Sequence, residues 1–290
     1  MLKYALSASG AMDQTAARLV NLLLGNQETE AVLETTMMGL RLRALSPGRI
    51  AVGGGDLGMV INGRPGPMWT VLSIKEGDII GFNDLRSGMR AYVGVAGGFD
   101  APLILGSRSA YLRGSLGTAL KKGDEIRSFD NKKAGWNTGK TLPPAFIPDR
   151  NVTKAFRVLP GPQMDYFSQD GIQVFSTATY TISTVSDRQG IRTDGPPVER
   201  IKGPDIITDP TPMGGIQVPG NGVPIILHRD AQVTGGYAKI ALLCKADLDR
   251  AGQLCPGDKI RFKFVSRPQA LALLKKQKQM LDKAREAMAV

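Results

Sequence analysis

Glycine and proline divide this chain into short apolar runs, and that pattern limits the possible folds more than any other. The sequence has 35 Gly and 18 Pro among 290 residues. Its densest part is the stretch 214–264, where apolar runs at 223–227 and 240–243 lie between Gly-rich turns. Apolar runs of strand length bounded by turn residues are typical of β-strands. The pattern predicts a mainly β chain with a few helices.

A Gly-Asp phrase recurs three times and indicates an internal duplication. It occupies residues 75–80, 121–126 and 255–260, each time as a turn expected to launch a strand. Two of the copies follow a Gly-Gly-aromatic triplet, at 97–99 and 235–237. Two similar β-rich lobes are therefore expected.

The duplication predicts two lobes and a tail. Residues 129–151 are polar and Pro-rich, which is the composition of a linker or an exposed loop. We place the boundary near Pro148, so that the lobes span 1–148 and 149–266. A Lys/Gln/Ala-rich helix is expected over 267–290.

Three shorter helices are predicted. Apolar residues at helical spacing indicate a helix over 13–24, which begins at the capping residue Asp13 and ends at Gly25. Each lobe is also expected to carry a short helix before its final strand, at 110–117 and 246–252.

Two stretches of the chain are predicted to be a strand and a corner. Alternating Thr and apolar residues over 173–183 predict a strand. The triple glycine at 53–56 is expected to form a flexible corner. It leads into a strand and hairpin turn at 59–63 instead of a helix, so it is not a phosphate-binding loop.

The net charge of +11 does not indicate nucleic-acid binding. Basic residues are spread along the chain, and the two local concentrations, at 121–133 and 275–285, are not interleaved with aromatic residues. An acidic protein partner or an anionic substrate suits such a surface better. The two cysteines, Cys244 and Cys255, could form one disulfide by number, but two cysteines in a chain of this size are more often free core thiols.

The expected location is cytoplasmic. No run of apolar residues approaches the length of a membrane span. The N-terminus lacks the basic start, apolar run and small-residue cleavage site of a signal peptide.

Residue types alone leave the chemistry open. The lone histidine, His228, is left out of the catalytic set, and no Cys, His or carboxylate cluster has metal-ligand spacing. Arg188 lies in a charged stretch, which is either a salt-bridged hairpin or a donor fork for a substrate carboxylate. The polar residues between Gln217 and Lys239 either line a pocket or serve tight barrel turns.

Five colinear blocks resemble one protein family. They are SGAMDQTAARLVNLLLGN (9–26), RAYVGVAGGFDAPLILGSRSAYLRGSLG (90–117), LPGPQMDYF (159–167), SDRQGIRTDGP (186–196), and GGIQVPGNGVPIIL with DAQVTGGYAKIA (214–241). They resemble the family that unites biotin-dependent carboxyltransferases with the C-type subunit of 5-oxoprolinase, formerly called allophanate hydrolase subunit 2. Members usually carry one more strand before this N-terminus.

The resemblance implies a fold, an activity and partners. The fold would be two duplicated cyclophilin-like β-barrel lobes. The activity would be ATP-dependent hydrolysis of 5-oxoproline to glutamate, in complex with a small β-rich partner (the B-type subunit of 5-oxoprolinase) and a lactam-handling partner (the A-type subunit). ATP would act through the complex. Two alternatives are a biotin-dependent carboxyltransferase of the urea carboxylase type and a non-catalytic antagonist of a kinase-inhibitor partner.

The resemblance also implies a site between the lobes. Lys239, lying beside Asp230, would transfer the proton, and Tyr237 would complete the wall. The substrate would be bound by polar side chains and glycine backbone of both lobes: Arg108, Ser109, Arg188, Gln217, Asn221, Gln232, Thr234, Gly235 and Gly236.

Overall fold

The computed structural model describes residues 6–7, 9–37, 39–129 and 138–288. These residues are mainly β, with four α-helices. The chain divides into two compact units, each discontinuous in sequence, whereas the lobes predicted at 1–148 and 149–266 are continuous. The N-terminal unit consists of Asp13–Leu112, Leu116–Asp149 and Lys278–Val290. The C-terminal unit consists of Met1–Met12, Arg113–Ser115 and Arg150–Gln277.

The N-terminal unit is built on two four-stranded antiparallel sheets. Its strands are β1 (Leu33–Thr36), β2 (Arg41–Arg43), β3 (Gly48–Asp56), β4 (Met59–Ile61), β5 (Arg64–Pro65), β6 (Leu72–Ile74), β7 (Ile79–Phe82) and β8 (Ser87–Val95). The strand orders are β1-β8-β3-β6 and β2-β7-β4-β5. Apolar residues of both sheets form one core cluster, which includes Val52, Phe82 and Val93.

Helix α1 (Gln14–Leu24) packs on the first of these sheets, as its apolar stripe predicts. The Asp13 carboxylate accepts a hydrogen bond from the Ala16 backbone N–H at 2.8 Å. Gly25 ends the helix in the left-handed region at φ 66°. The predicted helix and both of its caps are confirmed.

The triple glycine is not a corner, and that prediction is wrong. It lies inside β3, which is buried along most of its length. A Cβ atom on Gly53 would overlap the Trp69 ring and come within 2.7 Å of Val20 Cγ2. Glycine serves here to let the helix and the tryptophan approach the sheet closely.

The C-terminal unit is built on one eight-stranded sheet and a two-stranded ribbon. Its strands are β9 (Phe156–Pro160), β10 (Tyr180–Ile182), β11 (Gly190–Asp194), β12 (Asp205–Pro210), β13 (Gly215–Gln217), β14 (Ile225–Leu227), β15 (Thr234–Tyr237), β16 (Lys239–Leu243), β17 (Lys259–Ile260) and β18 (Phe262–Phe264). The order is β17-β10-β11-β14-β13-β16-β9-β18, and β12 pairs with β15. Only the β9–β18 pair is parallel within the described sheet. The barrel-like, mainly β class is confirmed.

The strand predicted over 173–183 is wrong in its first half. Residues Gln169–Thr177 form helix α2, and only Tyr180–Ile182 form a strand. The Ser168 hydroxyl caps the helix by accepting from the Gly171 N–H at 2.9 Å. Phe175 stacks on Phe262 with ring centroids 4.6 Å apart. This packing against a distant strand outweighs the local β-propensity of the threonines.

The other predicted helices differ in outcome. Helix α3 (Lys245–Ala251) is confirmed, whereas the stretch 110–117 contains only a 3₁₀ turn, Leu112–Gly114. Helix α4 (Arg267–Met288) forms where the tail helix is predicted. Among the described helices, none combines the length and apolar character needed to cross a membrane.

The recurring Gly-Asp phrase is one turn used three times. Its glycines, Gly77, Gly123 and Gly257, all adopt a left-handed backbone, with φ of 87°, 93° and 90°. Each following aspartate accepts from the backbone N–H three residues earlier, at 2.7–2.8 Å. The first and third copies launch β7 and β17, but among the described residues no strand begins directly after the second copy.

Part of the predicted linker is packed. Residues 130–137 lie outside the described residues. Beyond them Leu142 is fully buried, and its N–H donates to the Trp69 carbonyl at 2.8 Å. Residues 138–149 therefore belong to the N-terminal unit and are not simply an exposed linker.

Tyr180 predicts a stabilising substitution in the core of the C-terminal unit. Its side chain is fully buried, and its hydroxyl has no hydrogen-bond partner among the described residues. Because an unsatisfied buried hydroxyl is costly, we expect Tyr180→Phe to raise the free energy of unfolding by up to about 1 kcal/mol. Urea titration at pH 7 measures this, and a loss of stability would contradict it.

The same substitution should change how the free energy of unfolding depends on pH under alkaline conditions. Burial raises the pKa of Tyr180 to about 12. Because the pKa of Tyr180 is higher in the folded state than in the unfolded state, its contribution to stability is fully present below the unfolded-state pKa. That contribution is lost as the pH rises through the folded-state pKa. Between about pH 10 and 12 the Tyr180→Phe protein should therefore lose stability less steeply.

Candidate functional site

Lys239 is the centre of the candidate site. It is the first residue of β16 and is 0% exposed, although lysine is almost never fully buried without a partner. The register between β13 and β16 shifts at this point, because Ile216 pairs with Ala241 and Gln217 with Lys239. The extra residue forms a bulge, a feature that redirects side chains and is enriched near active sites.

Asp209 on β12 supplies the countercharge for this buried lysine. Its Oδ2 atom lies 3.1 Å from Lys239 Nζ, while the Asp209 side chain is 39% exposed. The distance is that of an ion pair, but Nζ makes no well-directed hydrogen bond to the described residues. The Lys239 ammonium, and secondarily the Gln163 amide, hold the pKa of Asp209 below its usual range.

Gln163 joins the two charged residues to the backbone. Its amide N–H donates to Asp209 Oδ2 at 3.2 Å, and its Oε1 accepts from the Lys239 backbone N–H at 3.2 Å. The Gly161 N–H donates to the Ile240 carbonyl at 2.9 Å. A Cβ atom on Gly161 would overlap the Lys239 carbonyl oxygen and lie 2.6 Å from Ala241 N. Only glycine lets the turn cross β16 closely enough to deliver Gln163.

Three glutamines form a chain of amides next to this group. Gln189 Nε2 donates to Gln232 Oε1 at 2.8 Å, and Gln232 Nε2 lies 3.5 Å from Gln217 Oε1. Gln217 is only 2% exposed, and its own Nε2 has no acceptor among the described residues. A buried N–H donor without an acceptor costs free energy, so a bound ligand or a water is expected to accept this hydrogen bond.

Gly235 leaves the space into which the Gln217 amide points. A Cβ atom there would lie 2.9 Å from Gln217 Nε2, 3.0 Å from Thr211 Cγ2 and 3.3 Å from Gln232 Nε2. Gly235 pairs with Asp209 across the ribbon. Strand pairing places Gln217 opposite Lys239 and Gly235 opposite Asp209, so these residues are neighbours in the C-terminal unit. Two buried donors beside a countercharge suit a carbonyl or carboxylate oxygen.

The proton-transfer pair predicted from the resemblance is rearranged. Asp230 does not contact Lys239; its carboxylate accepts from Arg188 Nε at 2.8 Å. Arg188 also donates to the Gly10 carbonyl at 2.6 Å. The arginine is thus engaged inside the protein, which is the salt-bridged alternative. The predicted Lys239–Asp230 pair is replaced by Lys239–Asp209, because the β12–β15 register places Asp209 opposite Gly235 while Asp230 is paired with Arg188.

Other predicted residues lie at the surface. Asn221 is exposed, and its side chain accepts from the Val223 N–H at 3.1 Å within its own turn. Thr234 is exposed, Tyr237 is 42% exposed, and Gly236 has open space beside it apart from the Ile206 carbonyl. Thr234, Gly236 and Tyr237 belong to the ribbon strand β15, whereas Asn221 lies in the turn between β13 and β14.

Arg108 and Ser109 belong to the N-terminal unit. The Arg108 guanidinium donates to the Ala101 carbonyl and lies 4.8 Å from the centroid of the Phe129 ring. The Ser109 N–H donates to the Ser107 hydroxyl at 3.1 Å. Their predicted substrate contacts stay a prediction.

No metal site is found among the described residues. His228 is buried, and its Nε2 lies 3.0 Å from the Leu248 carbonyl, which is the position of a core histidine. No group of three His, Cys, Asp or Glu residues in the described ranges has metal-site geometry. A cleft of about 470 Å³ lies in the N-terminal unit, lined by Arg41, Val60, Asn62, Gly63, Ile79, Gly81 and Asn83. It contains none of the buried donors described above.

Sequence reasoning missed Gln163, Asp209, Gln189 and Thr211. The stretch 161–163 carried a signal for a turn at Gln163, since glycine followed by proline marks a turn. Asp209 carried none, because its partner lies thirty positions along the chain.

The fold and site define a mainly β protein in which a buried lysine is paired with a partly exposed carboxylate. Beside this pair lies an amide cluster suited to a small carbonyl compound. The chain belongs to the family described as carboxyltransferase domain, subdomain A and B, which it matches over residues 4–264. It is 32% identical over 287 residues to the C-type subunit of 5-oxoprolinase from Haemophilus influenzae, covering 98% of this chain and 91% of that protein.

Larger proteins contain a similar domain. The chain is 30% identical over 273 residues to urea amidolyase of Saccharomyces cerevisiae, covering 88% of this chain but only 15% of that protein. The structure of K. lactis urea amidolyase superposes with a TM-score of 0.89 at 28% identity, covering 97% of this chain and 18% of that one.

Proposed function

We propose that this chain is one component of an ATP-dependent lactam hydrolase that opens 5-oxoproline to glutamate together with partner proteins. The observation that carries the proposal is the pair of buried donors, Lys239 Nζ and Gln217 Nε2, in a chain similar over almost its whole length to the C-type subunit of 5-oxoprolinase. The implied partners are a small β-rich protein and a lactam-handling protein.

The geometry supports a division of roles. Gln217 donates its free amide N–H to the lactam carbonyl, and Gln232 orients that amide. Ring opening adds water across the C–N bond, so the carbonyl carbon gains a hydroxyl and the nitrogen gains a proton. Lys239 supplies that proton as a general acid, a role that contributes about 10²–10⁴-fold to a rate. Gly235 keeps the space open for the ring.

ATP is assigned to the complex. The triple glycine lies inside the buried strand β3 and does not feed a helix, so it does not fit a phosphate. In this proposal the chain binds the organic substrate, and the nucleotide chemistry is assigned to a partner protein.

A second candidate is carboxyl transfer of the urea carboxylase type. The likeness to the urea amidolyase structure favours it, and the same two donors suit a ureido carbonyl. Biotin would then be brought by another protein.

Reconstitution with the partners tests the proposal. The chain is purified from its native host with the proteins bound to it, and glutamate release from 5-oxoproline is measured with and without ATP. We expect ATP-dependent release that stops when this chain is omitted. Biotinylated protein in the preparation, with bicarbonate-dependent carboxylation of urea, would favour the second candidate. A tight complex without turnover would indicate the antagonist role.

Gly235→Ala provides a local test with a matched control. The new methyl group would press on the Gln217 and Gln232 amides, which are flexible side-chain ends, so the fold should tolerate it. We expect turnover to fall about tenfold, since one misplaced hydrogen bond costs about 1.4 kcal/mol. Gly236→Ala meets only the Ile206 carbonyl at 3.5 Å and should keep near-normal turnover. Equal effects of the two substitutions would contradict this account of the site.

A further inference from the structure

Asp209 is a carboxylate whose position needs an explanation. It lies on β12 of a two-stranded ribbon, where Asp205 and Ile207 on the same strand are exposed. Asp209 instead turns its Oδ2 atom to the buried Lys239 ammonium, 3.1 Å away. A solvated ribbon carboxylate has no structural need for a lysine from the interior, whereas a fully buried ammonium does need a countercharge.

Gln163 fixes this pair in one arrangement. One side chain contacts the Asp209 carboxylate through Nε2 and the Lys239 backbone through Oε1, both at 3.2 Å. Gln163 is held in turn by its own backbone N–H, which donates to the Lys239 carbonyl at 3.3 Å. The three residues come from three different elements, so their meeting depends on the tertiary structure.

The arrangement leaves donor capacity on the lysine. An ammonium has three N–H donors, and among the described residues a single carboxylate oxygen, Asp209 Oδ2, lies within ion-pair distance of Nζ. Asp209 can therefore occupy no more than one of the three donors. Such a counterion keeps a buried ammonium in place while its N–H groups stay available to a substrate atom.

We propose that Asp209 is a positioning residue, which holds the Lys239 ammonium at the substrate position through its charge while Gln163 clamps both. This inference rests on the proposed function. Asp209 is not assigned a substrate contact; it acts through Lys239.

Turnover tests the proposal in the assembled complex, with three substitutions at ribbon carboxylates. Asp209→Asn keeps the size of the side chain and removes its charge, and we expect kcat for 5-oxoproline to fall about 10–100-fold with KM changed less than about threefold. Asp209→Glu keeps the charge and should recover part of the loss. Asp205→Asn, on the same strand and exposed, is the matched control and should behave as the unsubstituted chain. Asp209→Asn with the turnover of Asp205→Asn would overturn the proposal.

Thermal unfolding of the free full-length chain gives a readout that needs no activity. Asp209→Asn leaves the buried ammonium without a countercharge and should lower the unfolding midpoint. Lys239→Met added to Asp209→Asn removes that ammonium and should restore the midpoint. Additive effects of the two substitutions would overturn the proposal even if the complex hydrolyses another substrate. An inactive complex combined with a strong coupling would instead reject the proposed function alone.

Discussion

Lys239→Met is expected to abolish most of the turnover of the assembled complex while leaving the protein at least as stable. The substitution removes the proposed general acid, so kcat for glutamate release from 5-oxoproline should fall by about 10²–10⁴-fold. The methionine side chain has similar length and fills the same buried volume. Replacing a buried charge by an apolar side chain of similar size is often neutral or stabilising. Asp209 keeps its ordinary hydration because it is partly exposed.

Activity and stability should thus change in opposite directions. Lys263→Met is the control, since Lys263 is an exposed lysine on β18 of the same sheet. It should change neither kcat nor the unfolding midpoint. If Lys239→Met retained normal turnover, Lys239 would have no part in the mechanism. If it unfolded the protein, the lysine would be structural.

Gly161→Ala is expected to cause the largest loss of stability. The added Cβ atom would overlap backbone atoms of β16, including the Lys239 carbonyl oxygen, with Ala241 N at 2.6 Å. Gly161 directly follows β9, and neither β9 nor β16 can move away from the other without breaking the pairing between them. Overpacking against backbone should cost about 3 kcal/mol or more, and lower the unfolding midpoint by on the order of 10 °C.

Gly203→Ala separates this effect from a general intolerance of alanine. A Cβ atom on Gly203 meets no atom within 4 Å. It should leave stability within about 0.5 kcal/mol of the original. Differential scanning calorimetry of both proteins measures the contrast. Equal midpoints would show that the turn of residues 161–163 does not approach β16 as closely as described.

Structure set by neighbouring residues was predictable. The helix capped by Asp13 and Gly25 depends on side-chain and backbone preferences within one segment, and it forms as predicted. The Gly-Asp turn is equally local, because its aspartate bonds to a backbone N–H three residues away. The stretch 173–183 failed for the opposite reason. Phe175 is held by Phe262, so a helix forms where the local pattern favours a strand.

The sequence predicted some of the residues that lie in the site, but not which carboxylate pairs with the lysine. Gln217, Gln232, Gly235 and Lys239 were chosen as polar or flexible residues in one Gly-rich stretch, and the structure brings them together. Lys239 was paired with Asp230, which is nearby in sequence. The register of the ribbon places Asp209 there instead, opposite Gly235.

From its residues alone the chain determined its class, its Gly-Asp turns, the two ends of helix α1 and its family, because each of these depends on short segments and their order. Only the tertiary structure decided that Lys239 is buried, that Asp209 neutralises it and that Gln163 holds both. The physical reason is that a buried charge is tolerable only where a counterion arrives from another strand, and strand register is set by the packing of the whole unit.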